Sequence, residues 1–295
     1  NRIFITAQSA GPIGGSATYF DPLNNVTTPA GYTLLNGVGP QASDVDVDVL
    51  GGVIPNGSAA VSIIQAGTSG DITLGSPITF IDSLTQTATQ AGTLELAGEI
   101  LRTDLVIIGN PNAPLTIGTT PGEGTITPKT ASGILTLNNN NAAPLLVVNS
   151  VIANNGSGSS LLKTGAGTVQ ISAGATYTGG TVIGAGTLAL AGAGSIPDSS
   201  AVDLADPSSV LHLSGISAAA ETIGSLTGVS GSSVALGSKT LALNGVSPAP
   251  FAGVISGSGG GLTLLSGATQ ELTGDNTFTG DVTIGANATL SVDKI

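Results

Sequence analysis

Residues 161–190 read LLKTGAGTVQISAGATYTGGTVIGAGTLAL, a stretch in which short apolar runs alternate with glycine-rich turns. In the run Thr187-Leu188-Ala189-Leu190, every second residue is leucine. A period of two puts one set of side chains inward and the other outward, which is typical of a half-buried β-strand. Gly, Asn, Ser, Asp and Pro, which bound such runs, favour turns. The stretch therefore predicts a series of short strands.

The same period recurs over most of the chain. Comparable four-residue runs stand at 93–96, 134–137, 210–213, 240–243 and 289–292. Helical patterns are nearly absent, because no stretch of a dozen residues without Gly or Pro shows apolar spacing at three and four together with caps. We expect an almost entirely β protein.

The chain also contains an internal repeat. Residues 161–185 align with residues 262–286 at a shift of 101 residues without gaps, and eight of the 25 positions are identical. Both copies contain an aromatic–Thr–Gly turn, which begins at Tyr177 in the first and at Phe278 in the second. Repeats that cannot bury an apolar face alone bury it by stacking on their neighbours. The pattern predicts a β-solenoid, an elongated rod of stacked coils, with a β-sandwich as the main alternative.

The first part of the chain is less regular than the rest. We interpret residues 1–90 as an irregular β region or cap and residues 91–295 as the solenoid, and the sandwich alternative applies mainly to residues 1–90. The β-prone segment Ile3-Phe4-Ile5 is a candidate exchangeable strand, since it precedes a flexible stretch. The chain begins at Asn1 without a signal peptide, which is typical of a processed or excised segment.

The composition argues against several classes of protein. Without Cys the chain has no disulfide framework, thiolate metal site or cysteine nucleophile. Eighteen acidic and six basic residues give a net charge of −12, which repels phosphate backbones, so nucleic acid is not an expected partner. An apolar content of 40% argues against disorder. No apolar run approaches the roughly 18 residues of a membrane-spanning helix.

The repeat resembles a known family. Three runs carry the resemblance: LLKTGAGT at 161–168, TYTGGT at 176–181 and AGTL at 185–188. They are similar to the passenger-associated strand repeat of bacterial autotransporters, although the second copy has LLSG at 264–267 where Lys-Thr-Gly is expected, and Asp281 in place of the second Gly.

This resemblance implies a right-handed parallel β-helix that is exported, so we expect an extracellular or bacterial cell-surface location. It covers a little under half of the chain, residues 161–292. It implies no particular chemistry, because passengers of this fold include adhesins, aggregation factors, toxins and enzymes.

Candidate catalytic groups are few. His212 is the only histidine, and its position between Leu211 and Leu213 predicts an outward, solvent-exposed side chain. No serine elbow motif accompanies it. A pectin-cleaving β-helix would need convergent Asp residues, or a basic residue beside a calcium-binding carboxylate cluster, and the basic residues here are scattered. We expect no enzymatic activity and no resident cofactor.

The most conspicuous acidic feature is the alternating run Asp44-Val45-Asp46-Val47-Asp48-Val49. As a strand it would present three carboxylates on one side and three valines on the other. Asp44, Asp46 and Asp48 are therefore candidate ligands for weakly bound calcium, since Ca²⁺ takes carboxylate oxygens and extracellular sites often bind it weakly. The alternative is a solvated acidic face that binds no ion.

These observations predict a non-enzymatic, extracellular structural or adhesive rod. Terminal coils leave backbone groups unpaired, so we expect copies to associate end to end, which generates filaments. Surface glycans and other cell-surface proteins are further expected partners. The alternative is a carbohydrate-processing enzyme or a glycan-binding module on the same fold. An enzyme would place convergent carboxylates on adjacent coils, whereas a structural rod would place ladders of Thr, Ser and Asn there.

Overall fold

The computed structural model describes residues 18–21, 26–29, 44–64, 70–143 and 145–293, with side chains from residue 44 onward. Every regular element in these ranges is a β-strand, which confirms the predicted all-β class. Within the same ranges no helix has the length and apolar character needed to cross a membrane.

The described part of the chain contains short strands throughout. In chain order they are β1 (Thr18–Asp21), β2 (Val26–Pro29), β3 (Val45–Asp48), β4 (Val53–Ile54), β5 (Ser58–Ile64), β6 (Thr73–Leu74), β7 (Ile78–Gln86), β8 (Gly92–Leu94), β9 (Ile100–Arg102), β10 (Leu105–Ile108), β11 (Leu115–Ile117), β12 (Thr125–Thr127), β13 (Ile134–Asn139), β14 (Leu146–Val148), β15 (Val151–Ile152), β16 (Ser160–Thr164), β17 (Thr168–Ile171), β18 (Thr181–Ile183), β19 (Thr187–Gly192), β20 (Ala201–Leu204), β21 (Val210–Ile216), β22 (Ala220–Ile223), β23 (Ser225–Gly228), β24 (Ser233–Ala235), β25 (Thr240–Leu243), β26 (Val254–Ser256), β27 (Gly261–Leu264), β28 (Thr269–Leu272), β29 (Val282–Ile284) and β30 (Thr289–Val292).

From β3 onward the strands stack in parallel as a β-solenoid of about 11 turns, with three faces. The first face contains β3, β5, β7, β10, β13, β16, β18, β20 and β23. The second face contains β8, β11, β14, β17, β19, β21, β24 and β26. The third face consists of two separate sheets, in which the start of β7 joins β9, β12 and β15, and β22 joins β25, β27 and β29. Parallel pairing one coil apart is the arrangement of a solenoid and excludes the sandwich for these strands.

The core is built from interior columns that run along the rod. One column on the first face consists of Val61, Leu84, Val106, Leu137, Lys163, Ile183, Leu204, Gly228, Phe251 and Leu272, each paired with the residue one coil further on. Every side chain in this column is at most 2% exposed, and Gly228, which has no side chain, is half-buried. The same column leads from the first face to β28 and β30, because Leu272 pairs with Val292. The first face therefore continues to the last described coil.

The length of a coil varies along the rod. On the first face Leu105 pairs with Thr136, Thr136 with Leu162, and Leu162 with Val182. Successive coils there contain 31, 26 and 20 residues. The strands stay short throughout, so the additional residues of longer coils lie in the corners.

The two copies of the internal repeat lie on different faces. In the first copy β16 stacks with β18 on the first face, and β17 with β19 on the second. In the second copy β27 stacks with β29 on the third face, and β28 with β30 on the continuation of the first. The copies share their internal pairing, since Leu161 pairs with Thr181 and Leu262 with Val282, 20 residues apart in both. Each copy therefore contains two pairs of stacked strands, and the shift of 101 residues does not correspond to a whole number of coils.

The same stacking passes through the predicted boundary at residue 90. β3, β5, β7 and β10 pair in that order on the first face. The antiparallel pair β1 and β2 forms a sheet of its own. The candidate exchangeable strand Ile3–Ile5 lies outside the described residues, and the division into residues 1–90 and 91–295 stays a prediction.

Candidate functional site

The three candidate calcium ligands lie at β3. Asp46 and Asp48 are half-buried on the outer side of the strand and Val47 is buried, as the alternation predicts. Asp44 Oδ1 accepts a 3.3 Å hydrogen bond from the backbone N–H of Ala60, one coil further on. Among the residues that the structure describes, no three Asp, Glu or His side chains lie close enough together to hold a metal ion. Calcium binding at Asp44, Asp46 and Asp48 stays a prediction.

His212 lies on the second face, where the predicted outward orientation is confirmed. It is half-buried in β21, and its neighbours Leu211 and Leu213 are buried. Its Nε2 lies 3.2 Å from Oγ of the exposed Ser214. In a Ser–His–Asp site a buried carboxylate orients the imidazole. Within the described chain the hydrogen bond of His212 goes to Ser214 and to no carboxylate, so this pair lacks the orienting group.

Lys163 is a charged residue in an otherwise uncharged interior column. It pairs with Leu137 on one coil and Ile183 on the next, and it is fully buried. Its Nζ donates hydrogen bonds to the carbonyl oxygens of Thr164, Gly165 and Ala185, at 3.1, 2.6 and 2.8 Å. Burial lowers the pKa of Lys163 to about 8. The three carbonyl oxygens compensate the charge of the ammonium group at the end of β16 and the corners next to it.

A second buried polar cluster crosses three coils near the start of β18. The hydroxyl of Tyr177 hydrogen-bonds to Thr181 Oγ1, which lies 2.9 Å from Ser200 Oγ. Glu221, from the coil above, is 3% exposed and accepts a 2.6 Å hydrogen bond from the backbone N–H of Ile196. Burial raises the pKa of Glu221 to about 7, against the effect of the hydrogen bond from Ile196. Burial also raises the pKa of Tyr177, and the charge of Glu221 adds to this rise.

Glu123 connects two corners of the solenoid through hydrogen bonds to their backbone. Its Oε1 accepts hydrogen bonds from the backbone N–H groups of Leu96 and Ala97, at 2.8 and 2.9 Å. Its Oε2 accepts from the backbone N–H and the hydroxyl of Thr119. Partial burial raises the pKa of Glu123, but these hydrogen bonds outweigh it and lower the pKa to about 2. The carboxylate is ionised at neutral pH and links consecutive coils.

The outer surface carries side-chain hydrogen bonds between neighbouring coils. Asn138 Nδ2 donates to Thr164 Oγ1 at 2.9 Å, and Thr227 Oγ1 donates to Asp203 Oδ1 at 2.8 Å. Asn154 forms two such bonds with Thr178. Each of these contacts joins two neighbouring coils, as one step of the predicted outward ladders would.

The sequence interpretation missed Lys163, Glu221 and Glu123 as residues of interest. A signal for the first two was present, because Lys163 has the same parity as the buried Leu161, and Glu221 the same parity as the buried Ile223. A charged residue at an inward position predicts a buried partner or a shifted pKa. Glu123 gave no such signal, since its partners are backbone groups brought near by the corner geometry.

A family comparison matches the repeat. The family model of the passenger-associated-transport-repeat matches residues 161–190 and 258–292. Both matched segments are therefore similar to this repeat. Together with the β-solenoid, these repeats fit a β-helix segment of an autotransporter passenger, and the family implies a secreted or surface-exposed protein. Neither the curated proteins nor the solved structures contain a significant match to this chain.

The two passenger repeats differ in their polar side chains, because residues that hydrogen-bond to one another in the first repeat are apolar in the second. Tyr177 and Thr181, which hydrogen-bond in the first repeat, correspond to Phe278 and Val282, which have no hydroxyl. Lys163 corresponds to the buried Leu264. The carbonyl of Ala185 binds Lys163 in the first repeat, and in the second the equivalent carbonyl, that of Ala286, accepts a hydrogen bond from Ser266 Oγ at 3.0 Å. In both repeats the equivalent carbonyl oxygen therefore accepts a hydrogen bond from a side chain, although the donor residue differs.

Proposed function

We propose that the chain is a non-enzymatic, structural and adhesive segment of an exported autotransporter passenger. The observation that carries this proposal is the position of Lys163 and Glu221, the two ionisable groups whose pKa values are shifted towards neutral pH. Groups with shifted pKa values in an open cleft are candidates for catalysis. Here Lys163 and Glu221 are buried in the interior of the solenoid, where a polysaccharide cannot reach them. The outer faces instead carry hydrogen-bonded pairs of Asn, Thr and Asp side chains between neighbouring coils.

The catalytic part of this proposal is tested with a panel of soluble polysaccharides. We expect the purified chain to release no reducing ends from any of them. The His212→Ala variant serves as the matched control, because His212 is outward and its removal should leave the fold intact. Hydrolysis by the wild type that is lost in His212→Ala, with an unchanged circular dichroism spectrum, would overturn the non-enzymatic proposal. Binding to surface glycans or to cell-surface proteins without turnover would support the adhesive role.

The proposed rod associates end to end with other copies. In the last described coil Val282 and Ile284 are 48% and 52% exposed, although they continue the interior columns of the fully buried Leu262 and Leu264. A further parallel strand, from this chain or from a second copy, would pair with β29 and cover these apolar side chains. A strand of a second copy that adds here would extend the stack, which is β-augmentation.

The association is tested by light scattering and negative-stain microscopy over a range of concentrations. We expect filaments or end-to-end oligomers, and we expect Ile284→Glu to prevent them. Val246→Glu is the matched control, because Val246 is an exposed apolar residue below the last coil. Deletion of Asn1–Gln8 tests the contribution of the N-terminal segment, which lies outside the described residues. A wild-type chain that stays monomeric at high concentration would contradict the end-to-end proposal.

A further inference from the structure

The backbone ladder of the third face is interrupted. β15 is the last strand of one sheet and β22 the first strand of the other, and among the described strands β22 pairs with β25 alone. Two short segments, 174–176 and 195–196, lie between these sheets. Residues 174–176 continue the ladder on both sides. The N–H of Thr176 donates to the carbonyl of Ile152 at 2.8 Å, and the N–H of Ala175 donates to the carbonyl of Ser195 at 3.1 Å. The interruption therefore lies between residues 195–196 and β22.

A side chain takes over the missing pairing at this point. Ile196 N donates to Glu221 Oε1, at 2.6 Å, instead of donating to a backbone carbonyl of β22. The next residue, Pro197, has no N–H to donate. Backbone bonds resume on both sides, from Ser217 N to Gly192 O and from Gly224 N to Ser200 O. One carboxyl group thus bridges the two coils in the middle of this segment.

The surroundings of Glu221 contain no described basic group that forms a salt bridge with it. Above it, β25 places Leu241 directly over Glu221. On the coil below, the exposed Asp198 carries a like charge that opposes ionisation of Glu221. The hydroxyl of Tyr177 lies near enough for the charge of Glu221 to raise the pKa of Tyr177. The ammonium group of Lys239, which precedes β25, is bound to the carbonyl oxygen of Ala218.

We propose that protonation of Glu221 controls the opening of the junction between residues 195–200 and β22. A neutral carboxyl keeps the hydrogen bond from Ile196 and places no charge in the interior. An ionised carboxyl keeps the same bond but is a buried anion facing Asp198, without a cation to pair with it. Such a charge is solvated only when the coil opens. The junction is therefore closed more firmly in mildly acidic surroundings than above neutral pH.

The direction follows from proton linkage. Burial raises the pKa of Glu221 from 4.5 to about 7, so between these values the closed state holds a proton that the open state releases. The contribution to closure is fully present below pH 4.5 and is lost as the pH rises through 7. With these two pKa values, the population of the open state increases roughly 30-fold between pH 5.5 and 8.5.

Hydrogen exchange with mass spectrometry tests this proposal on the full chain. After correction for the intrinsic exchange rate, we expect peptides that cover residues 195–200 and 220–224 to lose protection by about that factor between pH 5.5 and 8.5. In Glu221→Gln, which cannot ionise, their protection should not depend on pH. Glu123→Gln is the matched control and should retain the wild-type pH dependence, because the pKa of Glu123 lies far below this range.

A second variant keeps the test decisive if Glu221→Gln folds poorly. Asp198 is exposed, so Asp198→Asn should fold normally, and it removes the like charge that raises the pKa of Glu221. We expect it to reduce the loss of protection and to move its midpoint to lower pH. Wild-type protection at 195–200 that is equal at the two pH values would overturn the proposal, and so would an unchanged pH dependence in Glu221→Gln.

Discussion

Replacing Gly228 with alanine should destabilise the solenoid mainly through its contact with the Phe251 ring. A Cβ added at Gly228 would lie 2.7 Å and 2.9 Å from two carbon atoms of this ring and 2.9 Å from Ser232 Oγ, well inside van der Waals contact. The ring is fully buried, and Gly253 also lies close to it, since a Cβ added there would be 2.6 Å from Cζ of Phe251. Overpacking of this kind costs about 1–3 kcal/mol. We expect Gly228→Ala to fall in the upper half of that range.

Two comparisons isolate the contact. At Gly184 an added Cβ would have its nearest neighbour at 3.4 Å, so Gly184→Ala should change the free energy of unfolding by less than about 0.5 kcal/mol. Phe251→Leu should make room at Gly228. The double variant Gly228→Ala/Phe251→Leu should therefore cost less than the sum of the single variants, by about 1 kcal/mol or more.

The assay is guanidinium denaturation of all four variants, followed by far-ultraviolet circular dichroism at a fixed protein concentration. The midpoint and slope give the change in stability. If Gly228→Ala and Gly184→Ala had equal midpoints, the interior column would not be packed as described. Additive costs in the double variant would show that the Gly228 and Phe251 substitutions act independently.

Three further predictions concern ionisable groups. Burial lowers the pKa of Lys163 to about 8, so between pH 8 and 10.5 the unfolded chain binds more protons than the folded chain. The free energy of unfolding should therefore rise over that range by up to about 3 kcal/mol. Denaturation of Lys163→Met should show no such rise. Hydrogen bonds lower the pKa of Glu123 to about 2, so the free energy of unfolding should fall as the pH drops from 4.5 towards 2. The expected loss is about 1 kcal/mol after allowance for solvent screening. Acid denaturation of Glu123→Gln should not show this loss. If Asp44, Asp46 and Asp48 share a calcium ion, millimolar calcium should raise the melting temperature of the wild type but not that of Asp46→Asn. A wild-type melting temperature that is equal in chelator and in calcium would leave the solvated acidic face.

The fold was predictable because solenoid coils are short and local in sequence. Alternation in runs such as Thr187–Leu190 identifies which side chains are inward, and parallel stacking follows from the repetition. The assignment of faces was not predictable from the repeat, because a coil with three similar faces accepts the same strand pair on any of them. Leu161 and Leu262 are equivalent in sequence and lie on different faces for that reason.

The buried ionisable groups were only partly predictable. Parity alone places Lys163 and Glu221 in the interior. Their partners are backbone atoms at corners and at the interruption of the third face, and corner length decides which of these atoms come close. The Lys163 ammonium is satisfied by Ala185, 22 residues away, because that coil contains 20 residues on its first-face pairing. Such contacts depend on the number of residues in each coil, and the alternation of apolar and polar residues does not specify that number.

In each passenger repeat, two pairs of strands stack one coil apart. Because the chain contains no cysteine, engineered cysteine pairs report this stacking directly. Thr168 and Thr187 are paired neighbours on adjacent strands. Parallel strands lie about 4.8 Å apart, a separation that a disulfide spans. Under dilute oxidising conditions, Thr168→Cys/Thr187→Cys should lose both free thiols within the monomer. In Thr168→Cys/Thr269→Cys the two cysteines stand at equivalent positions of the two repeats, on different faces, and should remain reduced. An intramolecular disulfide in this second variant, or no disulfide in the first, would contradict the stacking.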